Sequence, residues 1–537
     1  MSNRLKEALA AGEFAVTYEV IPGRGASESH QQKEFEEAVK IYASGRVHAV
    51  SITDNPGGNP ALAADAFARD FEDQGVCTLV HFTCKDKSRN QMQAQLYAMQ
   101  RQGLHNILVM TGDYQYSGWS GRSRPVFDLD PVQALALGRE SNAGLVEKTP
   151  RGENVEQPTD FCMGAVVSPF KYTEAETLTQ YLKMEKKIHA GAHFIITQLG
   201  YDVRKMEEVQ MYLNSRGYKI PLVANVYVIG AGTAKFMNGG NIPGCYVSDE
   251  MVGVLQEEAK AEDKGKKGQY IRAAKMVAVA RGMGFAGVHI GGMGLTREIF
   301  DFILDTADEL QDQWREWAEE IHYGKPGGYY MYEPALDDKG KPTGLNAPEL
   351  GSFSEKVTTR KLMKSYGLSR FFHHWVLTPN KRFFGILKST MDRRDRKKGL
   401  NRHHGLEHLG KSVMYGCMDC GDCGLETAIY TCPMTQCPKC QRNGPCGGSL
   451  DGWCEVYPDE RYCIHFKAYH RLKKYGELEK LDSYITPPNN WDFYETSGWS
   501  NYTHERDNAA NRVYLPEAEK RAQVANEALA LSNKPKG

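Results

Sequence analysis

Eight short runs rich in apolar and β-branched residues alternate with longer helical stretches over roughly the first 315 residues. Runs that are apolar along nearly their whole length indicate strands buried on both faces, as in parallel sheets. Eight strand–helix units predict an α/β fold, a closed (β/α)8 TIM barrel, with an open doubly wound sheet as the alternative. The predicted strands are FAVTYEV (14–20), VHAVSIT (47–53), VCTLVHFTC (76–84), NILVMTG (106–112), CMGAVV (162–167), HFIITQ (193–198), IPLVANVYV (220–228) and FAGVHIG (285–291).

The charge balance excludes some classes of partner. Lys and Arg number 66 and Asp and Glu number 67, so no net field favours nucleic acid or an anionic membrane. No run approaches the roughly 20 apolar residues that a membrane span needs, and the start, MSNRLKEALAAGEF, has no apolar signal-peptide core. We therefore expect a cytoplasmic protein without a membrane span.

Nine of the 13 cysteines are concentrated near the C-terminal end, which in a reducing compartment predicts metal binding rather than disulfides. The first three have C-x2-C-x2-C spacing and are followed by a Cys-Pro pair, as in loops that bind a 4Fe-4S cluster. The other five suffice for a second four-thiolate site with one cysteine left over. We favour iron–sulfur clusters, while two zinc sites or one of each also fit the count. The predicted ligands are Cys417, Cys420, Cys423, Cys432, Cys437, Cys440, Cys446, Cys454 and Cys463.

Changes in composition predict four parts of the chain. The barrel covers 1–318 and a connecting segment with helices covers 319–410. A small cysteine-rich metal-binding domain of helices and loops covers 411–470, and a helical, charged tail covers 471–537.

Three polar side chains close predicted strands, where barrel enzymes place their functional groups. Glu19 ends the first strand among apolar neighbours, which predicts a raised pKa and a general acid; a structural Glu paired with Arg24 is the alternative. Asp113 follows Gly112 after strand four and binds a ligand or caps the next helix. Gln198 ends strand six, where its side-chain amide forms hydrogen bonds either with a heterocyclic ligand or with a neighbouring strand in the core.

The order of these motifs along residues 10–315 resembles the methylenetetrahydrofolate reductase family. The resemblance rests on TYEVIPGR, VSITDN, HFTCKD, VMTGDY, MEKKIHAGAHFIITQ and IPLVANVYVIG. It implies a barrel that binds FAD noncovalently, with FMN as the alternative, and that reduces a folate-bound methylene to methyl. NAD(P)H or another donor would supply the electrons, and a tetrahydrofolate derivative would be the substrate.

The resemblance also implies roles for single residues. Glu19 resembles the family's general acid, Asp113 the residue beside flavin and pterin, and Gln198 the pterin-binding amide. The flavin-contacting positions would be Thr53, His81, Thr111, Gly112 and Lys187, with Lys187 on a phosphate or ribityl oxygen. Where many members have Arg-Gly-Asp after strand four, this chain has Thr-Gly-Asp and so lacks a cation near the cofactor.

The cysteine block resembles a cysteine-rich partner subunit, or C-terminal extension, of some bacterial members of that family. CGDCGLE, CPKCQRNGPCGGS and GWCEVYP carry this second resemblance, over roughly residues 355–475. It implies an electron relay to a redox partner protein, or a scaffold that docks one. Two other functions stay open: an electron-transfer or docking module of a larger complex, and a folate or corrinoid methyltransferase barrel. We also expect a homo-oligomer. The direction of the reaction stays open, because methyl oxidation and reduction for methionine synthesis fit the residues equally.

Overall fold

A closed barrel of eight parallel strands forms the N-terminal part of the protein, in a computed structural model that describes residues 3–352, 362–363, 365–398 and 404–533. The strands follow chain order around the barrel, and β1 pairs with β8 from Ala15↔Gly287 to Tyr18↔Ile290. This pairing closes the sheet, so the predicted barrel is confirmed and the open sheet was wrong. The strands are β1 Ala15–Val20, β2 Ala49–Ile52, β3 Thr78–Thr83, β4 Asn106–Met110, β5 Cys162–Val167, β6 Phe194–Thr197, β7 Leu222–Val228 and β8 Gly287–Gly292.

Helices surround the barrel, and several of them begin at side chains that satisfy their first backbone N–H groups. Asp130, for example, accepts from the backbone of Val132 and Gln133, and the Gln133 side chain completes a capping box. The principal helices after the strands are Ser29–Ala43, Ala64–Asp73, Arg89–Gln102, Pro131–Ala143, Glu174–Ala190, Val203–Ser215, Lys266–Gly282 and Arg297–Glu309. Ala231–Asn238 and Asp249–Glu258 are further helices after β7, Trp314–Glu320 follows the last, and a hairpin of Val146–Thr149 and Gly152–Val155 precedes β5.

The apolar core has two layers. A large layer lies between the strands and the surrounding helices, and a smaller one fills the barrel interior with residues such as Leu79, Leu108 and Phe194. The N-terminal helix Arg4–Ala11 adds Leu5 and Ala8 to the interior layer. The interior is thus packed with side chains, which leaves the opposite end, where the strands terminate, for polar groups.

The chain after the barrel is built from short elements. A hairpin of Tyr332–Leu336 and Pro342–Leu350 packs on the barrel. The helices are Tyr366–Phe372, Arg382–Lys398, Gly405–Tyr415, Ile464–Lys473, Gly498–Thr503 and Ala518–Ser532, and two further strand pairs are Trp453–Cys454 with Tyr457–Tyr462 and Tyr484–Ile485 with Val513–Tyr514. The tail predicted as helical is mostly turns and irregular backbone between residues 474 and 517, apart from the short helix Gly498–Thr503, and the two consecutive prolines of TPPNNW prevent a helix at that point.

Parts of the predicted connecting segment, residues 353–361, 364 and 399–403, lie outside the described residues. The limits of the four predicted parts stay a prediction. In the described part of the chain, none of the helices has the length and apolar character needed to cross a membrane.

Residues 437–449 of the cysteine block lie across the C-terminal end of the barrel, and we call them the barrel cap. Lys439 Nζ donates to Gly112 O (2.9 Å), at the end of β4. Lys183 Nζ donates to Gln441 Oε1 (2.8 Å) and to the carbonyl oxygen of Gly444 (3.0 Å). The cap therefore forms part of the wall around the barrel mouth.

The buried Asp130 carboxylate fixes the cap to a barrel helix. One of its oxygens caps the helix Pro131–Ala143, and the other accepts from Arg442 N (3.2 Å), Asn443 N (2.8 Å) and Asn443 Nδ2 (3.0 Å). Hydrogen bonds from several donors to one charged, buried acceptor are stronger than neutral ones.

Candidate active site at the barrel mouth

A chain of hydrogen bonds links Glu19, at the end of β1, to β8. Glu19 Oε2 lies 3.2 Å from His289 Nε2, and His289 Nδ1 lies 2.8 Å from Thr17 Oγ1. His81 on β3 stands on the same side, with Nε2 3.0 Å from Ser51 Oγ. Glu19, His81 and His289 each place a ligand-type atom within 4.8 Å of the other two. The barrel thus gathers a carboxyl group and two imidazoles at its mouth.

The electrostatics of Glu19 correct the sequence prediction. Burial raises the pKa of Glu19, as expected, but the hydrogen bond to His289 and the charges of His289 and His81 outweigh burial and lower it overall. The expected raised pKa was therefore wrong, because β8 brings a histidine onto the carboxyl group. The expected alternative partner, Arg24, is not the one found. Burial lowers the pKa of His81 to about 4, so its ring is neutral near pH 7.

Asp113 and Gly112 follow β4 at the mouth. Asp113 Oδ2 accepts from Gly57 N (2.7 Å), which ties the β4 end to the loop after β2. Gly112 has φ +81°, and a Cβ there would lie 2.7 Å from Cγ of the buried Lys85. Glycine is thus required for both conformation and space. Thr111 Oγ1 lies 3.3 Å from Gln441 Oε1 of the cap.

Gln198 lies where β6 meets the cap. Its side-chain Oε1 accepts from Leu199 N (2.9 Å). A Cβ on Gly244 would come 3.5 Å from Gln198 Nε2 and 3.0 Å from Gly447 O. The amide nitrogen of Gln198 therefore faces the space between the cap and the loop after β7.

Two side-chain hydroxyl groups at strand ends lack a hydrogen-bond partner, whereas the amine of Lys187 already has one. The hydroxyl groups of Thr53 and Ser168 are buried without a hydrogen-bond partner, which suits a polar ligand above them. Lys187, by contrast, is buried and its amine donates to Val166 O. Burial, followed by the charge of Lys183, lowers the pKa of Lys187 to about 7. The role of Lys187 in flavin binding stays a prediction.

The nine clustered cysteines separate into two groups of four with Cys440 between them. Thiol set 2 (Cys437, Cys446, Cys454 and Cys463) lines one pocket beside Lys439. Thiol set 1 comprises Cys417, Cys420, Cys423 and Cys432. Within this set, burial and then the charges of the other three cysteines raise the pKa of Cys420. Beyond the effect of burial, the charge of Cys432 raises the pKa of Cys440, and the charge of Cys440 raises the pKa of Cys437. If the prediction of two four-thiolate sites is applied to this partition, Cys440 is the cysteine left over, and the sites themselves stay a prediction.

Burial makes the thiols of Cys463 and Cys440 poor anions on their own. It raises the pKa of Cys463 to about 12 and that of Cys440 to about 11, with neighbouring cysteines adding to both shifts. A bound cation reverses such shifts because it neutralises thiolate charge. No three thiol sulfurs among the described residues lie within 4.8 Å of one another, whereas tetrahedral zinc at about 2.3 Å holds its sulfurs about 3.8 Å apart.

Sequence reasoning missed three functional features. His289 lies in a predicted strand, and its ionisable ring within the apolar run FAGVHIG was the available signal. No local sequence pattern indicated that Lys439 and Gln441 contact the residues just after β4, because those residues lie more than 300 positions away in the sequence.

Comparison with protein families gives a direct result. A family described as "Methylenetetrahydrofolate reductase" matches residues 4–306. The chain belongs to the methylenetetrahydrofolate reductase family. A second family, described as "Methylene-tetrahydrofolate reductase C terminal", matches residues 399–492, which include the whole cysteine block.

Two curated relatives are yeast proteins. Methylenetetrahydrofolate reductase 1 of Schizosaccharomyces pombe is 24% identical over 293 residues, covering 53% of this chain and 44% of the relative. Methylenetetrahydrofolate reductase 2 of Saccharomyces cerevisiae is 24% identical over 205 residues, covering 37% and 31%. The chain thus spans less than half the length of these relatives.

Among solved structures, one similar chain is an uncharacterized protein from Clostridium thermocellum that binds two copies of 5-methyl-5,6,7,8-tetrahydrofolic acid. It is 11% identical with a TM-score of 0.42 and covers 57% of this chain and 99% of its own.

Proposed function

We propose that the protein interconverts 5,10-methylene- and 5-methyl-tetrahydrofolate by flavin-mediated hydride transfer. Family membership supports the reaction class. The observation that carries the assignment is the carboxyl group of Glu19 at the barrel mouth, held by His289. FAD is the proposed flavin, with FMN as the alternative, and NAD(P)H or a protein supplies electrons. The same residues serve both directions of the reaction.

Glu19 is the proposed proton donor to the folate. In the free protein it is held as a carboxylate that accepts from His289 Nε2. A pterin seated on the mouth displaces water, and such desolvation favours the neutral acid. The proton then passes to the aryl nitrogen of the folate and opens the imidazolidine ring, which leaves an iminium carbon to accept hydride. Thr17, bonded to the far side of the imidazole, keeps His289 oriented during this transfer.

When bound, the flavin supplies the hydride chemistry. Thr53, with its unpaired hydroxyl, together with His81, Gly112 and Asp113, would hold the ring. Lys187 would have to leave Val166 O to reach a ribityl or phosphate oxygen. Gln198 would bind the pterin with the amide nitrogen that faces the cap.

The test of the acid is Glu19→Gln in the full chain, followed by two separate assays. We expect folate turnover to fall at least about a thousandfold, near the middle of the range for a general acid, while reduction of the bound flavin by its donor stays within about twofold. Loss of both half-reactions would contradict the acid role. Glu13→Gln, on the exposed side of the chain just before β1, is the matched control and should leave both rates unchanged.

The two thiol sets are the proposed metal sites, serving electron relay or the docking of a redox partner protein. The C-x2-C-x2-C spacing followed by a Cys-Pro pair supports 4Fe-4S clusters over single zinc ions. The position of thiol set 2 next to Lys439, which contacts the end of β4, supports a relay that ends near the flavin. Iron, zinc and flavin quantified on anaerobically purified protein test this: stoichiometric iron with a dithionite-bleachable absorbance supports the relay, and zinc alone contradicts it.

A further inference from the structure

A cluster of two imidazoles and one carboxylate lies outside the barrel mouth and outside both thiol sets. His404, His408 and Asp419 each place a ligand-type atom within 4.8 Å of the other two. Asp419 lies between Cys417 and Cys420 in the sequence but contributes an oxygen, not a sulfur. We propose that these three residues bind one divalent first-row transition metal ion, distinct from the metal of the thiol sets.

The helix Gly405–Tyr415 positions the two histidines. His404 is its N-cap residue and His408 follows one turn later, where His408 N donates to His404 O (2.9 Å). Residues four apart share one face of a helix. The two rings consequently face the loop that carries Asp419, with ring centroids 6.0 Å apart.

Two of the four ring nitrogens have hydrogen-bond partners, whereas His404 Nδ1 and His408 Nδ1 are buried without one. His408 Nε2 lies 3.3 Å from Ser412 Oγ, which leaves Nδ1 as the free nitrogen, 3.5 Å from Asp419 Oδ1 and without a hydrogen bond. His404 Nε2 faces both Asp419 oxygens, at 2.7 and 2.9 Å. A hydrogen bond from the second ring nitrogen is the usual way in which proteins orient a metal-binding histidine.

Hydrogen bonding alone does not account for this arrangement. The His404 side chain is 9% exposed and already uses Asp419, while His408 Nδ1 faces the same carboxylate at 3.5 Å without forming a hydrogen bond. An ion between the three groups takes His404 Nε2, His408 Nδ1 and an Asp419 oxygen as its ligands. Two imidazoles and a carboxylate suit zinc or ferrous iron and leave coordination positions for water or a further ligand.

The experiment uses the full, metal-loaded protein and Zn²⁺ as the probe. Samples are dialysed against buffered free zinc, and zinc per chain is measured before and after. We expect one added equivalent in the wild type, binding about a hundredfold weaker in His408→Ala, and recovery in His408→Cys, which restores a ligand. His374→Ala, which removes an exposed histidine elsewhere, is the matched control and should bind as the wild type.

Two results would overturn the proposal: no added equivalent in the wild type, or equal uptake by His408→Ala. Co²⁺ shows which ligands take the added ion. Visible d–d bands without a thiolate-to-cobalt charge-transfer band support the nitrogen–oxygen site, and a charge-transfer band that accounts for all the added cobalt contradicts it. His408 is 39% exposed, so its removal does not threaten the fold.

Discussion

Lys439→Met tests whether the barrel cap is held in place by a buried ion pair within the cysteine block together with one hydrogen bond to the barrel. Lys439 is 5% exposed and pairs with Glu455, which is 6% exposed. Burial lowers the pKa of Lys439, but the charge of Glu455 outweighs it and raises the pKa overall, so the lysine stays charged. Removing one partner of a buried pair costs about 3–5 kcal/mol, and the lost bond to Gly112 O adds about 1 kcal/mol.

Hydrogen–deuterium exchange of the intact, metal-loaded protein measures this loss. The reporter is the amide of Asn443, which donates to Asp130. A loss of at least about 4 kcal/mol increases cap opening, and hence exchange of that amide, about a thousandfold or more. The double variant Lys439→Met/Glu455→Gln removes both charges, so most of the protection should return.

Lys341→Met is the control, because its pair with Glu319 is exposed to solvent. Unchanged exchange in Lys439→Met would refute the reasoning. A double variant no better protected than the single one would refute it as well.

Three other changes have defined outcomes. Burial, followed by a neighbouring lysine, lowers the pKa of Lys187 to about 7; the unfolded chain binds this proton below about pH 10.4, so the free energy of unfolding rises with pH from about 7 to 10. Lys187→Met should remove up to about 4 kcal/mol of that rise in denaturation series, and parallel wild-type and variant profiles would contradict this. Gly112→Ala should weaken flavin binding and lower the melting temperature more than Gly103→Ala, which has a similar φ but open space, and equal effects would exclude the steric cause. Cys463→Ser should remove the metal of thiol set 2, whereas Cys440→Ser should retain all metal; metal loss in the second variant would place Cys440 among the ligands.

The sequence predicted the barrel because each strand is a local apolar run, and parallel strands bring their ends together whatever lies between them. The same rule predicts that Glu19, His81 and Asp113 lie at one mouth. It did not provide the partner of Glu19, because His289 acts through a contact between the first and last strands. The pKa of Glu19 depends on that contact, which explains why burial alone predicted the wrong direction.

The position of the cap over the barrel could not be predicted from local sequence patterns, for a different reason. Cysteine spacing shows which residues can share a metal, but the position of the metal loop relative to the barrel depends on tertiary packing. Buried groups such as Asp130 and Lys183 find their partners in Asn443 and Gln441, and neither end of these contacts has a distinctive sequence pattern.

The cap also imposes an order on how the protein is made. The last barrel strand ends at Gly292 and the cap begins at Cys437, 145 positions later. At about 5–20 residues per second, the barrel emerges from the ribosome about 7–30 s before its cap does. During that interval the mouth lacks one wall, so a ligand that binds there has its widest access from solution before the cap is made.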